Sequence, residues 1–176
     1  MASPQLRATA ALPTSPQQGI ELLGVRVGEA LSLGIPLQQT RQVLQISKET
    51  ILPIPDMPDA VLGVCRFQEK LLWLVDLATL FKINPGGAWE TKTHATVVTL
   101  ELSFEGQPQG LGLVIEHLED ILEVSPTEIP PASGEPIPDV FKPYIHSLWP
   151  RSAAGGSLWI LEGLSILRAL KPPASP

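Results

Sequence analysis

Apolar residues in this chain come in short runs about ten residues apart, and each run ends at a glycine, a proline or a small polar cluster. Runs this short suit strands better than ordinary amphipathic helices, which need roughly 10–12 residues. The stretch HATVVTLELSF shows the pattern most cleanly. Val98, Leu100, Leu102 and Phe104 point one way, and Thr99, Glu101 and Ser103 the other. Many short strands with few helices predict an all-β protein of sandwich or small-barrel type, not a parallel α/β sheet.

The same reading extends along the chain. IELLGVRVGEALSLGIP predicts two strands joined near Val27, Gly28 and Glu29. LQQTRQVLQI reads as a turn and then a strand, although Val43, Leu44 and Ile46 do not by themselves separate strand from short helix. ILPIPDMPDA cannot be a central strand, because its prolines lack the amide donor. LGVCRFQEKLLWLVD predicts a hairpin turning at Gln68, Glu69 and Lys70. GLGLVIEHL and EDILEV predict two further strands, and GSLWILEGLSILRAL a strand followed by a short helix. Residues 1–18 lack periodicity and are expected to be a disordered leader. A folded domain is expected over 19–171, with a linker near 84–93, a proline-rich loop over 125–143 and a tail at 172–176.

One construction occurs twice. LLWLVDLATLF breaks on Asp76, and LWILEGLSIL breaks on Glu162. Each acid stands where a strand gives way to a short helix, so both are read as structural caps that accept hydrogen bonds from free helical amides. Leu80 and Phe81 then match Ile166 and Leu167 as the apolar side of each helix. Trp73 and Trp159 occupy equivalent strand positions and read as core or groove walls. Trp89 and Trp149 fall in loop contexts, where an exposed indole would be an interface anchor.

Reactive constellations are thin. Lys and Arg total 12 against 18 Asp and Glu, a net charge of −6, which argues against nucleic-acid binding and anionic membranes. The single cysteine, Cys65, excludes an internal disulfide and a multi-cysteine metal site, and reads as a buried thiol in a cytoplasmic protein. No secretory signal or membrane insertion is expected. The cluster Glu116, His117, Glu119 and Asp120 matches no zinc spacing and reads as decoration of a turn. No serine sits in a G-x-S-x-G context, and no glycine-rich phosphate loop is present. No catalytic residue, cofactor or metal is expected. Two alternatives compete with a plain docking function: a nucleic-acid-binding β-barrel, and a small hydrolase using Asp76, Glu116 and His117.

Val61 to Phe81, VLGVCRFQEKLLWLVDLATLF, resembles the central signature of the CheW-like family. Leu62, Gly63 and Val64 open the match, and Asp76 with Leu77 closes it. Ile54-Pro55 with Pro58, then Gly110 to Val124, then Leu158 to Leu170 follow in the family's order, so the resemblance covers about 18–171. It implies two intertwined five-stranded β-barrel subdomains with short helices. It also implies a non-catalytic adaptor that couples a methyl-accepting receptor's cytoplasmic tip to the regulatory domain of a CheA-like histidine kinase. Flagellar chemotaxis, phototaxis and pilus-based motility all use such adaptors. The resemblance carries partner-binding roles to Gln42, Val64, Arg66, Gln68, Glu69, Gly112, Val114 and Glu116. The family's Asn-Leu-Arg-Gly is here Arg66-Phe67-Gln68-Glu69, its later aspartate is Ile115 beside Glu116, and its glutamate before Val43 is Gln42. These departures imply a divergent adaptor with dedicated partners, and the leader and proline-rich loop offer places for a system-specific regulator.

Overall fold

The computed structural model describes residues 19–29, 31–83, 88–128, 137–150 and 156–170. The leader, the tail and parts of the expected linker and proline-rich loop lie outside them. Ten strands, three short α-helices and two single-turn 3-10 helices (Lys48–Thr50 and Pro126–Glu128) make up the regular structure of the described residues. The strands are β1 (Ile20–Val27), β2 (Leu31–Pro36), β3 (Thr40–Ser47), β4 (Val61–Phe67), β5 (Lys70–Asp76), β6 (His94–Phe104), β7 (Gln107–Ile115), β8 (His117–Val124), β9 (Ile145–Pro150) and β10 (Ser157–Leu161). The helices are α1 (Leu77–Leu80), α2 (Ala88–Thr91) and α3 (Gly163–Ala169).

The strands form two five-stranded sheets, ordered β8-β1-β2-β10-β9 and β3-β6-β7-β5-β4. This order explains the repeated strand–acid–helix construction. The chain runs through two copies of one unit, β1 to β5 with α1 and then β6 to β10 with α3. Each copy gives its first hairpin to one sheet and its last three strands to the other, so the sheets are intertwined. The registers agree in detail. β10 lies parallel to β2 with Trp159 beside Leu33 and Ile160 beside Gly34. β5 lies parallel to β7 with Trp73 beside Leu111 and Leu74 beside Gly112.

Packing follows from strands that bury both faces. The face of β6 carrying Val98, Leu100 and Leu102 joins Leu33 and Ile35 of β2, Leu111 and Leu113 of β7, and both α1 and α3 in one core between the sheets. Ala95 and Val97, on the opposite face of β6, join Ile46, Cys65, Leu72, Leu74 and Val114 in a second core. Ile46 and Cys65 belong to opposite edges of the sheet, so a shared cluster requires that sheet to curl toward a barrel. The first sheet curls around Leu22, Val124, Leu158 and Ile160 in the same way.

Several sequence expectations are corrected. Asp76 and Glu162 occupy the N-cap positions of α1 and α3, but neither side chain makes a capping hydrogen bond. Each backbone amide is tied across the fold instead: Asp76 N–H donates to the Ala60 carbonyl and Glu162 N–H to the Tyr144 carbonyl, both at 2.8 Å. The buried Asp76 carboxylate accepts a 2.6 Å hydrogen bond from the Thr79 hydroxyl, which satisfies it locally. Trp149 belongs to strand β9, and Trp89 to α2; both are half-buried against core clusters, so neither is a free loop anchor. Lys48 Nζ lies 5.2 Å from the Trp89 ring centroid, a cation–π distance. The polar run from His117 lies on strand β8, not in a turn, and Glu119 there takes the Arg26 guanidinium at 2.8 Å.

Candidate functional site: a groove and a cavity on the second sheet

The expected partner-binding residues separate by burial. Val64 and Val114 are 7% exposed, and Gly112 is buried. A Cβ on Gly112 would collide with the Leu74 and Val97 side chains, so glycine here lets β7 lie against the barrel core. Arg66, Gln68 and Glu69 are exposed, and Gln42 and Glu116 are half-exposed.

Gln42 and Gln68 come together. They line a groove of about 120 Å³ with Arg41, Lys70, Leu71 and Gln109. A bulge in β3 between Thr40 and Gln42 builds one wall. The buried Thr99 hydroxyl pins that bulge: it accepts from Gln42 N–H at 3.2 Å and donates to the Gln42 carbonyl at 3.1 Å. Arg41 pairs with Glu101 at 3.1 Å, and Lys70 approaches the same carboxylate at 3.9 Å. Such exposed pairs add about 0–1 kcal/mol to stability, so their effect is to fix where charge is displayed. Leu71 stands among them, 66% exposed.

The hairpin turn beside the groove is strained. Phe67 pairs with Lys70, leaving Gln68 and Glu69 as a two-residue loop with φ of 45° and 63°. Such loops favour Asn-Gly, because both positions are left-handed. The turn from Phe104 to Gln107 has the same form and does place a glycine, Gly106, at its second position.

Gln109 also lines a second feature, a cavity of about 280 Å³ with Trp73, Phe104, Gln107, Leu167 and Leu170 around it. It opens where the inter-sheet face of the second sheet extends past the core. Arg41, Lys70, Leu71 and Gln109 were not expected as site residues. Their signal was present in part: LLWLV is apolar on both faces, so one face had to meet something other than its own barrel.

Glu116 lies elsewhere. It lines a recess of about 40 Å³ with Asp76, Lys92 and His94, whereas His117 is exposed on β8 and does not reach it. Asp76 is engaged by Thr79 and His117 stands apart, so the three residues of the hydrolase alternative do not come together. Among the described residues no three His, Cys, Asp or Glu side chains gather as metal ligands, and no helix is long and apolar enough to cross a membrane. Burial raises the Cys65 thiol pKa above its ordinary range, as desolvation disfavours the thiolate.

Two intertwined, curled sheets carry the groove and the cavity. The chain belongs to the CheW-like domain family, whose model matches residues 21–168. Among solved structures it is similar to the scaffolding protein TtCheW from Thermoanaerobacter tengcongensis, at 16% identity over 82% of this chain and 89% of that one, with a TM-score of 0.65. No curated protein sequence matches it.

Proposed function

We propose that the chain is a non-catalytic cytoplasmic adaptor that couples the cytoplasmic tip of a methyl-accepting receptor to the regulatory domain of a CheA-like histidine kinase. The family membership over residues 21–168 carries this reading. The groove formed by Arg41, Gln42, Gln68, Lys70 and Leu71 supports it, since it joins an exposed apolar side chain to ordered charges, as docking surfaces do. Gln42 and Gln68 stand where the resemblance places a glutamate and an arginine. This groove therefore recognises its partner through amide hydrogen bonds, which fits a dedicated partner. Regulators specific to one motility system, whether flagellar, phototactic or pilus-based, dock on the leader or the proline-rich segment.

The test is capture of purified CheA-like regulatory domains and receptor tips from the host by the immobilised chain, followed by calorimetry. Saturable binding in the micromolar range is expected. Failure to bind any member of the host's full set would overturn the assignment.

A further inference from the structure

The internal duplication shows what the Trp73 cavity is shaped to hold. Trp159 and Trp73 are register equivalents, one beside Leu33 and the other beside Leu111. Over Trp159 the corresponding space is filled. Phe141 stacks edge-on against the indole at 5.3 Å between centroids, and against Phe81 at 4.9 Å. Tyr144 closes the cluster, 6.1 Å from Phe81. Over Trp73 three changes leave the space open. Leu167 takes the place of Phe81, each five residues after its acid. Gln109 takes the place of the buried Leu31, each two residues before the leucine that flanks the tryptophan. Met57, which stands before Ala60 as Phe141 stands before Tyr144, is half-buried and does not line the cavity.

We propose that the Trp73 cavity is the pocket for one phenylalanine-class side chain carried by a protein partner, reproducing in trans the place Phe141 takes over Trp159. This deepens the adaptor reading and rests on it for the partner being a protein. Three features support an aromatic anchor. The walls Trp73, Phe104, Leu167 and Leu170 are apolar, and aromatic rings favour the edge-on geometry already seen on the equivalent tryptophan. The lining also carries Gln107 and Gln109, whose amide groups can meet the backbone of an arriving segment, and one carboxylate, Glu105. The shared residue Gln109 joins the cavity to the groove, so one partner segment covers both.

The probe is a synthetic peptide of residues 137–144, IPDVFKPY, titrated into the full chain while the Trp73 indole N–H is followed by NMR. Saturable shifts of Trp73 at millimolar peptide or below are expected, with at least about tenfold weaker binding for the peptide carrying Phe141→Ala. Leu167→Phe supplies the ring that the equivalent site uses. This variant should show a modestly raised melting temperature and lose peptide binding. No Trp73 shift at millimolar peptide, or equal binding by the Leu167→Phe variant, overturns the proposal. Peptide binding seen only after removal of residues 171–176 would make that segment the occupant. Self-association abolished by Leu167→Phe would make a second copy the occupant. Either result overturns the partner assignment. A chain that captures the kinase domain but ignores the peptide loses this inference alone. A chain that takes the peptide and captures neither kinase nor receptor keeps the pocket and loses the adaptor reading.

Discussion

Trp159 and Trp73 occupy the same position in two copies of one unit and both are half-buried, yet aromatic rings pack on one and a cavity borders the other. Around Trp159, Phe81 and Phe141 form an edge-to-face stack that extends the inter-sheet core. Around Trp73, a leucine and a glutamine leave a cavity of about 280 Å³. The comparison teaches that the scaffold tolerates a full aromatic plug at this position. The open copy is therefore a difference in side chains, not in backbone. One copy extends the core between the sheets, and the other leaves a cavity beside it.

Phe81→Ala breaks the sealed copy most severely. The side chain is 2% exposed and touches two aromatic rings, so a loss of about 3–5 kcal/mol is expected as a lower urea midpoint. A loss under about 1 kcal/mol would mean the stack does not carry the sealed copy. Phe141→Ala comes next. This ring is half-buried, and removing it should cost about 2 kcal/mol and increase quenching of Trp159.

Filling the open copy should act in the opposite direction. Leu167→Phe is expected to raise stability by about 0.5–1 kcal/mol, as cavity-filling substitutions do. A fall of similar size would show that the space cannot accept a ring. Glu69→Gly relieves a left-handed turn position at φ 63° and should stabilise by about 0.5 kcal/mol, the relief of backbone crowding being partly offset by unfolded-state entropy. The smallest effect concerns Cys65. Its pKa is raised in the fold by burial, so the folded state favours the neutral thiol. The corresponding stability is present below the unfolded thiol's pKa and is lost as pH rises toward the folded value. A Cys65→Ala variant should therefore flatten the alkaline limb of stability against pH, and native Cys65 should label slowly with a thiol reagent.

Much of the fold was legible because alternation is a direct record of burial. The face assigned to Val98, Leu100, Leu102 and Phe104 is the face that meets the inter-sheet core. The repeated strand–acid–helix pattern marked the duplication. The swap of hairpins between sheets was not legible, since alternation says which face is buried and not which strand lies beside it. Strand β9 was missed because Pro143 and Pro150 bracket it; proline is tolerated there because β9 is an edge strand. Val64, Gly112 and Val114 carry partner roles in the resemblance, and the fold buries all three, a fact that short alternating runs do not reveal for an edge or central strand. Asp76 was placed correctly at a helix start, but its carboxylate takes the nearer hydroxyl of Thr79 in preference to an amide. The filling of one copy by Phe141 was illegible in principle, since it depends on a contact between segments far apart in the chain.

Fluorine NMR of the chain labelled with fluorotryptophan, recorded as the receptor tip and the kinase regulatory domain are added in turn, compares the two copies directly. The open copy predicts that Trp73 shifts and broadens with one of these partners while Trp159 keeps its position. Movement of Trp159 with Trp73 unchanged, or no change at either when binding is complete, would contradict the account.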